Sequence, residues 1–507
     1  MAISTNSDVK VPDSRSLGID DAYGPFINGA FQPVRGDTLD AVAPATGDLL
    51  SKISRGDAQD IDEAVAAASA AFPAWRALSY EERSALLIRF ADALTENAER
   101  LAAIDALDTG RRLFETRLDY QLAASQYRYF AGAVLTHEGM GRPMPGGYMI
   151  AKREPLGVCG QIIPWNVPAI MTSFKLAPAL AAGNTVVLKP DENASISTME
   201  AAKLAAEIFP AGVINVVPGR GAEAGAALTA HPDVDKLAFT GSTEVGRLVG
   251  TAAAKRLIPA TLELGGKSPN IVFPDIDDVD AVADNVLYGA MWHNGQVCFG
   301  GTRVFVHDDI YDRFMPRLIE RAESLTVGGP FDDTARLTCL VSEKQATRVL
   351  GYIDIGKNEG AKLLTGGERV TVEGNEQGYF IQPTIFEATN DMRIAQEEIF
   401  GPVICVIRWN DVETLVQEAN DTQFGLAAGI YTRDLKNAMD TADRLQAGSV
   451  WINSYANLVP GLPFGGYKDS GLGREFSHEA LNMYSQLKAV AVQYEVGAPW
   501  FSQTYNG

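Results

Sequence analysis

GVCGQII at 157–163, NTVVLKP at 184–190, GVINVVPG at 212–219 and KLAFTGS at 236–242 are four short β-branched runs, and a stretch with helical character follows each. Strand–helix alternation of this kind reads as βαβ units on a parallel sheet. Gly and Pro stand at the strand-to-helix junctions, where such sheets bind ligands. A second alternating stretch runs from 281 to about 450. It contains TRVFV at 302–306, helical spacing over 308–325 and 342–358, and a strand around 427–431. The fold class is therefore α/β, with two Rossmann-like domains. Upstream, the apolar spacing predicts amphipathic helices over 57–78, 80–107 and about 114–133. MIAKREPLG at 149–157 and SQLKAVAVQY at 485–494 read as strands outside both cores, a small β arm. Strands left over in this way usually pair with something, often another subunit.

A chain of 507 residues with 46% apolar and 21% charged residues is long enough for two large domains and an ample core. The net charge of −21 argues against a nucleic-acid partner, which needs a basic face. No apolar run is long enough to span a membrane, and the N-terminus has no apolar leader. Residues 1–22 are polar and expected to be a flexible segment, frayed until about Tyr23. The four cysteines, at 159, 298, 339 and 405, are far apart without CxxC pairing. That excludes a disulfide framework and any recognisable metal site, and fits reduced thiols in the cytoplasm.

Several short segments carry chemistry. GQVCFGGTR at 295–303 places Cys298 in a Gly-flanked loop, where a thiolate could attack a substrate. TLELGGKSPN at 261–270 offers Glu263 as a general base. Alone, such a Cys is more often a small buried hydrophobe, and such a Glu a solvated charge. GQIIPWNVP puts Asn166 just after a strand, where its amide could donate to an oxyanion or merely close a turn. VVLKPDEN brings Lys189 and Glu192 to the mouth of the sheet, and an acid there suits a ribose 2′-hydroxyl. FTGSTEVGR opens a helix at Ser242, either as a phosphate site or as a plain cap. EEIFGP supplies Glu398 and Phe400, and PFGGYKDSGLGRE supplies Gly465, Gly466, Lys468 and Glu475.

PWN, LKP, FTGSTEVG, LELGGKSPNIV, GQVC, EEIFGPV and PFGGYKxSGxGRE, in this order, resemble the aldehyde dehydrogenase superfamily from about Pro25 to Tyr494. The resemblance implies NAD as cofactor and a non-acylating, hydrolytic reaction. Cys298 would be the nucleophile and Glu263 the base that activates water. Asn166 and the Cys298 N–H would form the oxyanion hole, with Lys175 and Glu475 as a proton relay. Ile163, Trp165, Lys189, Glu192, Gly225, Phe239, Gly241, Ser242, Gly265, Glu398 and Phe400 would bind the cofactor. The implied division is 23–136 with 156–265 as the NAD-binding domain and 266–470 as the catalytic domain. Segments 137–155 and 484–507 would form an oligomerisation arm, in a homo-oligomer that is a tetramer rather than a dimer.

Motif spacing places Val167, Met171, Phe174, Val297, Phe299, Leu458 and Phe464 along the substrate funnel. All are apolar, which favours an uncharged aliphatic or aromatic aldehyde. The alternatives are an NADP-linked or coenzyme-A-acylating relative, or a silent structural member of the family. Departures from the family pattern are GGTR after Phe299, Asp469 in GYKDSG, and Cys339 in LTCLVS where relatives often carry Pro.

Overall fold

The computed structural model of the protein describes residues 11–497. The outer ends of the expected N-terminal segment and of the arm, 1–10 and 498–507, lie outside the described residues. Among the described residues an 8-stranded sheet has the order Gly471–Leu472, Ala260–Glu263, Lys236–Thr240, Val158–Ile162, Thr185–Lys189, Ile214–Val216, Phe26–Ile27, Ala30–Phe31. The five strands between 158 and 263 are parallel to one another, and the short strands added at either side are antiparallel. From Val158–Ile162 the chain first winds one way, through Thr185–Lys189 and Ile214–Val216. It then returns to the other side as Lys236–Thr240. That reversal opens a crevice at the strand C-termini, the place where doubly wound sheets bind ligands.

A 7-stranded sheet has the order Lys362–Thr365, Thr384–Glu387, Val403–Trp409, Arg303–His307, Pro269–Val272, Ala427–Tyr431, Ser449–Ile452. It is parallel except at the Lys362–Thr365 edge. The α/β class with two parallel-sheet domains is thus as the alternation implies. Its inner strands read as continuous apolar runs because helices cover both faces.

Three local expectations are refined. Helix Ala58–Ala77 forms where it is expected, and an Asp57 capping box starts it. The helix expected over 80–107 is two helices, Tyr80–Glu96 and Ala98–Thr109. Asn97 separates them, and its side-chain amide donates to the Ala93 carbonyl at 2.9 Å. Asn commonly competes for backbone partners in this way. The N-terminal segment is already held at Ile19, which is buried, and its carbonyl accepts from Arg15 at 2.9 Å. Fraying up to Tyr23 is therefore corrected. The two leftover strands find each other: Gly147–Pro155 pairs antiparallel with Ser485–Gln493, and Met140–Met144 lies on the other side.

Packing of the helical layer onto the first sheet buries Asp108, whose carboxylate accepts the Ile196 N–H at 2.9 Å near the start of helix Ile196–Ala206. Burial pushes its pKa up to about 8, against the pull of that hydrogen bond. An unfolded Asp ionises near pH ~4. Between there and 8 the unfolded chain gives up a proton that the folded chain keeps, so this group costs stability as pH rises. Asp108→Asn retains an acceptor oxygen without the charge. Its melting temperature relative to wild type should rise by several degrees between pH 5 and pH 8. A constant offset across that window would refute the assignment.

Candidate active site

Three strand ends of the first sheet open into one cavity of about 370 Å³. Pro164, Trp165 and Asn166 follow Val158–Ile162, Gly241 and Ser242 follow Lys236–Thr240, and Leu264 and Gly265 follow Ala260–Glu263. The second domain supplies the facing wall through Val297, Cys298, Phe299, Glu398 and Phe400. Of the four free cysteines, Cys298 alone lines this cavity; Cys159, Cys339 and Cys405 are buried. Burial, and then the charges of Glu398 and Glu263, push the Cys298 thiol up, while the Phe299 and Cys298 N–H groups pull it down. The thiol therefore rests protonated, and attack must be coupled to loss of that proton.

Asn166 is buried, and its amide donates to the Gln296 carbonyl at 2.9 Å. One of its two N–H donors is thus fixed two residues ahead of the thiol. Glu263 does not line the cavity. It is buried behind it, its Oε1 against Gly465, where an added Cβ would stand 2.8 Å away. Burial, and next the Glu475 carboxylate, raise its pKa well above the ordinary value; Lys175 and Arg474 act in the opposite direction. Lys175 and Glu475 form a fully buried ion pair. The Glu263 carboxylate makes no hydrogen bond to the described protein.

On the sheet side, Ser242 caps helix Thr243–Arg256, accepting the Val245 N–H at 3.3 Å. An added Cβ on Gly241 would meet the tip of the Phe239 ring at 2.5 Å. Glu398 accepts the Gly266 N–H at 3.0 Å, and burial pushes its pKa up to about 7. The Trp165 and Phe400 rings meet edge to face at 5.4 Å. Phe400 has φ +63°, a costly backbone for a non-glycine residue. Gln345 holds it by donating to the Phe400 carbonyl at 2.7 Å, and Arg348 donates to the Glu398 carbonyl at 2.5 Å.

All seven expected funnel residues, Val167, Met171, Phe174, Val297, Phe299, Leu458 and Phe464, line the cavity. Ile170 and Trp292 join them, and sequence reasoning missed both, together with Lys344, Gln345 and Arg348. Trp292 was findable as an aromatic six residues before the thiol. Nothing local marks the 344–348 face, since it reaches the cavity only through the fold. Other expected residues lie off the cavity. Lys189 is buried and 3.4 Å from Glu192, and Glu192 lines a neighbouring hollow of about 330 Å³ with Ser342 and Tyr379. Ile163 gives its N–H to the Lys189 carbonyl at 3.1 Å, and Gly225 approaches the Lys189 stem. Lys468 bonds the Asn420 and Thr422 carbonyls instead of reaching the site.

One of the sequence departures acquires a reason. Asp469 pairs with Arg247 at 2.6 Å, tying the Gly-rich loop to the helix that Ser242 caps.

Two mostly parallel sheets with their strand ends turned to one cleft, a thiol on one wall and a capped helix on the other, define a two-domain α/β protein. The sequence profile described as the aldehyde dehydrogenase family matches residues 31–490, and the chain belongs to that family. Solved structures agree. An aldehyde dehydrogenase from Bacillus cereus, in its NAD+ complex, is 41% identical with a TM-score of 0.93, covering 96% of this chain and 100% of that one. The indole-3-acetaldehyde dehydrogenase of P. syringae, a mutant in complex with NAD+ and IAA, is 39% identical with a TM-score of 0.92, covering 95% and 98%. KauB, an aldehyde dehydrogenase from Pseudomonas aeruginosa, is 40% identical with a TM-score of 0.92, covering 95% and 98%.

A close backbone approach in the site is at Gly266, where an added Cβ would lie 2.2 Å from the Cys298 carbonyl oxygen. Backbone cannot yield there as a side-chain tip could. Gly266→Ala should lower the melting temperature by the equivalent of about 1–3 kcal/mol and cut turnover sharply. A variant with wild-type melting and turnover would show that the two segments are not in contact.

Proposed function

We propose that this chain oxidises an uncharged aliphatic or aromatic aldehyde to the carboxylic acid, with NAD, through a hemithioacetal and then a thioester on Cys298. The observation that carries this reading is the Cys298 thiol on an apolar cavity beside the anchored Asn166 amide. Attack of the thiolate on the carbonyl carbon forms the C–S bond and leaves an oxyanion. The Asn166 amide and the Cys298 N–H would receive it, and such donors stabilise the charge as it develops. NAD binding is supported by the B. cereus and P. syringae complexes and by the chain's own residues. The first turn of helix Thr243–Arg256 offers backbone donors to phosphate, Gly241 and Gly265 leave room, and Glu398 suits a ribose hydroxyl. When bound, NAD supplies the hydride acceptor. The acyl group then stays on Cys298 as a thioester. Glu263, made more basic by burial, takes a proton from the attacking water, and hydrolysis frees the acid and the thiol. Lys175 and Glu475, paired behind it, fit a route for that proton.

The substrate class follows from the walls. Charged lining residues come from the 344–348 helix face and from Glu398, while the segments around the thiol contribute Val167, Met171, Phe174, Trp292, Phe299 and Phe464. No cation among these awaits a substrate carboxylate. Glu192, beside Lys189, opposes a 2′-phosphate and favours NAD over NADP. The domain roles follow: 23–136 with 156–265 for the cofactor, and 266–470 for the thiol. Strand Ser485–Gln493 has one unpaired edge, as does Ser449–Ile452 of the second sheet, which supports a homo-oligomer built by sheet pairing, a tetramer on our reading. Among the described residues no helix is long and apolar enough to cross a membrane, and the four free thiols support a cytoplasmic setting.

The deciding experiment is NADH formation with short aliphatic, long aliphatic and aromatic aldehydes, wild type beside Cys298→Ala. Free acid should accumulate even with coenzyme A present; acyl-CoA, or a preference for NADP, would overturn the corresponding part. Asn166→Ala should raise the barrier by about 3 kcal/mol, roughly a hundredfold in kcat. Wild-type turnover in that variant would remove Asn166 from the mechanism.

A further inference from the structure

Directly before Gln296 and Cys298 the backbone is left-handed at three consecutive residues: His293 at φ +49°, Asn294 at +55° and Gly295 at +71°. Two of these carry a Cβ, so the turn is costly and persists only if its surroundings hold it. From one side, the Asn294 side chain accepts the Thr338 N–H at 2.7 Å and donates to the Thr338 hydroxyl at 3.0 Å and to the Cys339 carbonyl at 2.9 Å. Gln296 accepts the Val341 N–H at 3.2 Å. On the other side lies a group of buried charges that the reaction does not use. Glu115 accepts the His293 N–H at 3.4 Å. Arg111 is ion-paired with Asp119, both fully buried, and its guanidinium lies 5.3 Å from the centre of the Trp292 ring. Trp292 in turn stacks on Phe299, which follows the thiol, with centroids 6.0 Å apart and planes 20° apart.

This charge group is poor value as a stabilising device. Arg111 leaves Nε and Nη2 without partners, and Glu115 leaves one carboxylate oxygen so. Buried ion pairs of this kind seldom beat an apolar filling of the same volume. What they offer is a fixed position. Both contacts bear on the segment that leads to the thiol: Arg111 lies against Trp292, which lines the cavity, and Glu115 holds His293, three residues before Gln296.

We propose that Arg111 and Glu115 are positioning residues for the reaction. They clamp the 292–295 turn, and so set where the Gln296 carbonyl holds the Asn166 amide and where the Cys298 thiol faces the cavity. The inference rests on the aldehyde-oxidation reading for its consequence, but one of its readouts does not need that reading.

The test uses the full-length protein with Glu115→Gln, Arg111→Met and Arg111→Lys. Single-turnover NADH formation is measured well below the melting temperature, with the rate of Cys298 alkylation by iodoacetamide followed by mass spectrometry. Glu115→Gln and Arg111→Met should lose about tenfold or more in the single-turnover rate, while KM for NAD stays within about twofold. Arg111→Lys keeps a charge for Asp119 without the flat face against Trp292, and should recover only part of the loss. Alkylation of Cys298 should change severalfold in the same variants. Lower melting temperatures with wild-type rates in both assays would overturn the proposal. Should Arg111→Met fail to fold, Glu115→Gln and Thr338→Val probe the same turn from its two sides. Wild-type rates in both would be equally fatal. A wild type silent with every aldehyde would sink the functional reading, and the alkylation rates would still decide the clamp.

Discussion

The close approach of two backbones at Gly265–Gly266 is the constraint on which the site depends. This dipeptide follows strand Ala260–Glu263 of the first sheet and leads into strand Pro269–Val272 of the second. It therefore sits at the crossing between domains. A Cβ at Gly266 would stand 2.2 Å from the Cys298 carbonyl, and one at Gly265 would stand 2.7 Å from the Glu398 carboxylate. With hydrogen atoms there instead, the thiol loop and the Glu398 loop both close onto the crossing. The Gly266 N–H then fixes Glu398 directly. One short segment thus sets the distance between the group that would attack and the acid that would face the cofactor, and any side chain would force them apart.

The fold was legible because its signal is local. Strand–helix alternation with Gly and Pro at the junctions recurs through both domains, and the parallel registers follow it from Val158 to Glu263 and from Pro269 to Ile452. The exception at Asn97 is also local, but it lies below the resolution of hydrophobic spacing. Apolar residues keep their period through 80–107, and one side-chain amide suffices to end the helix.

The site was legible only in part, for a different reason. Cys298, Asn166 and most of the funnel residues sit on or beside glycine- and proline-rich junctions, which advertise themselves, while Met171 and Phe174 lie on the helix that Pro168 begins. Gln345 and Arg348 do not: they lie on a helix that looks like any amphipathic helix, and reach the Glu398–Phe400 loop only because the second sheet brings them there. Lys189 and Glu192 show the opposite case. Their motif points at the sheet mouth, yet Glu192 opens onto a neighbouring hollow and not onto the thiol's cavity.

Burial of charge links these pieces. Glu263, Glu398 and Cys298 are all pushed toward their neutral forms, mainly by desolvation. Each is thereby harder to ionise here than it would be in water. Glu263 and Glu398 also raise the thiol's own pKa, so a protonated Glu398 makes ionisation of Cys298 easier. Three groups that would each be ordinary in water become interdependent in this pocket. A low local dielectric strengthens that dependence because the same charges are poorly screened. The fold's contribution to chemistry is accordingly less the supply of any one reactive group than the partial burial that shifts all three at once.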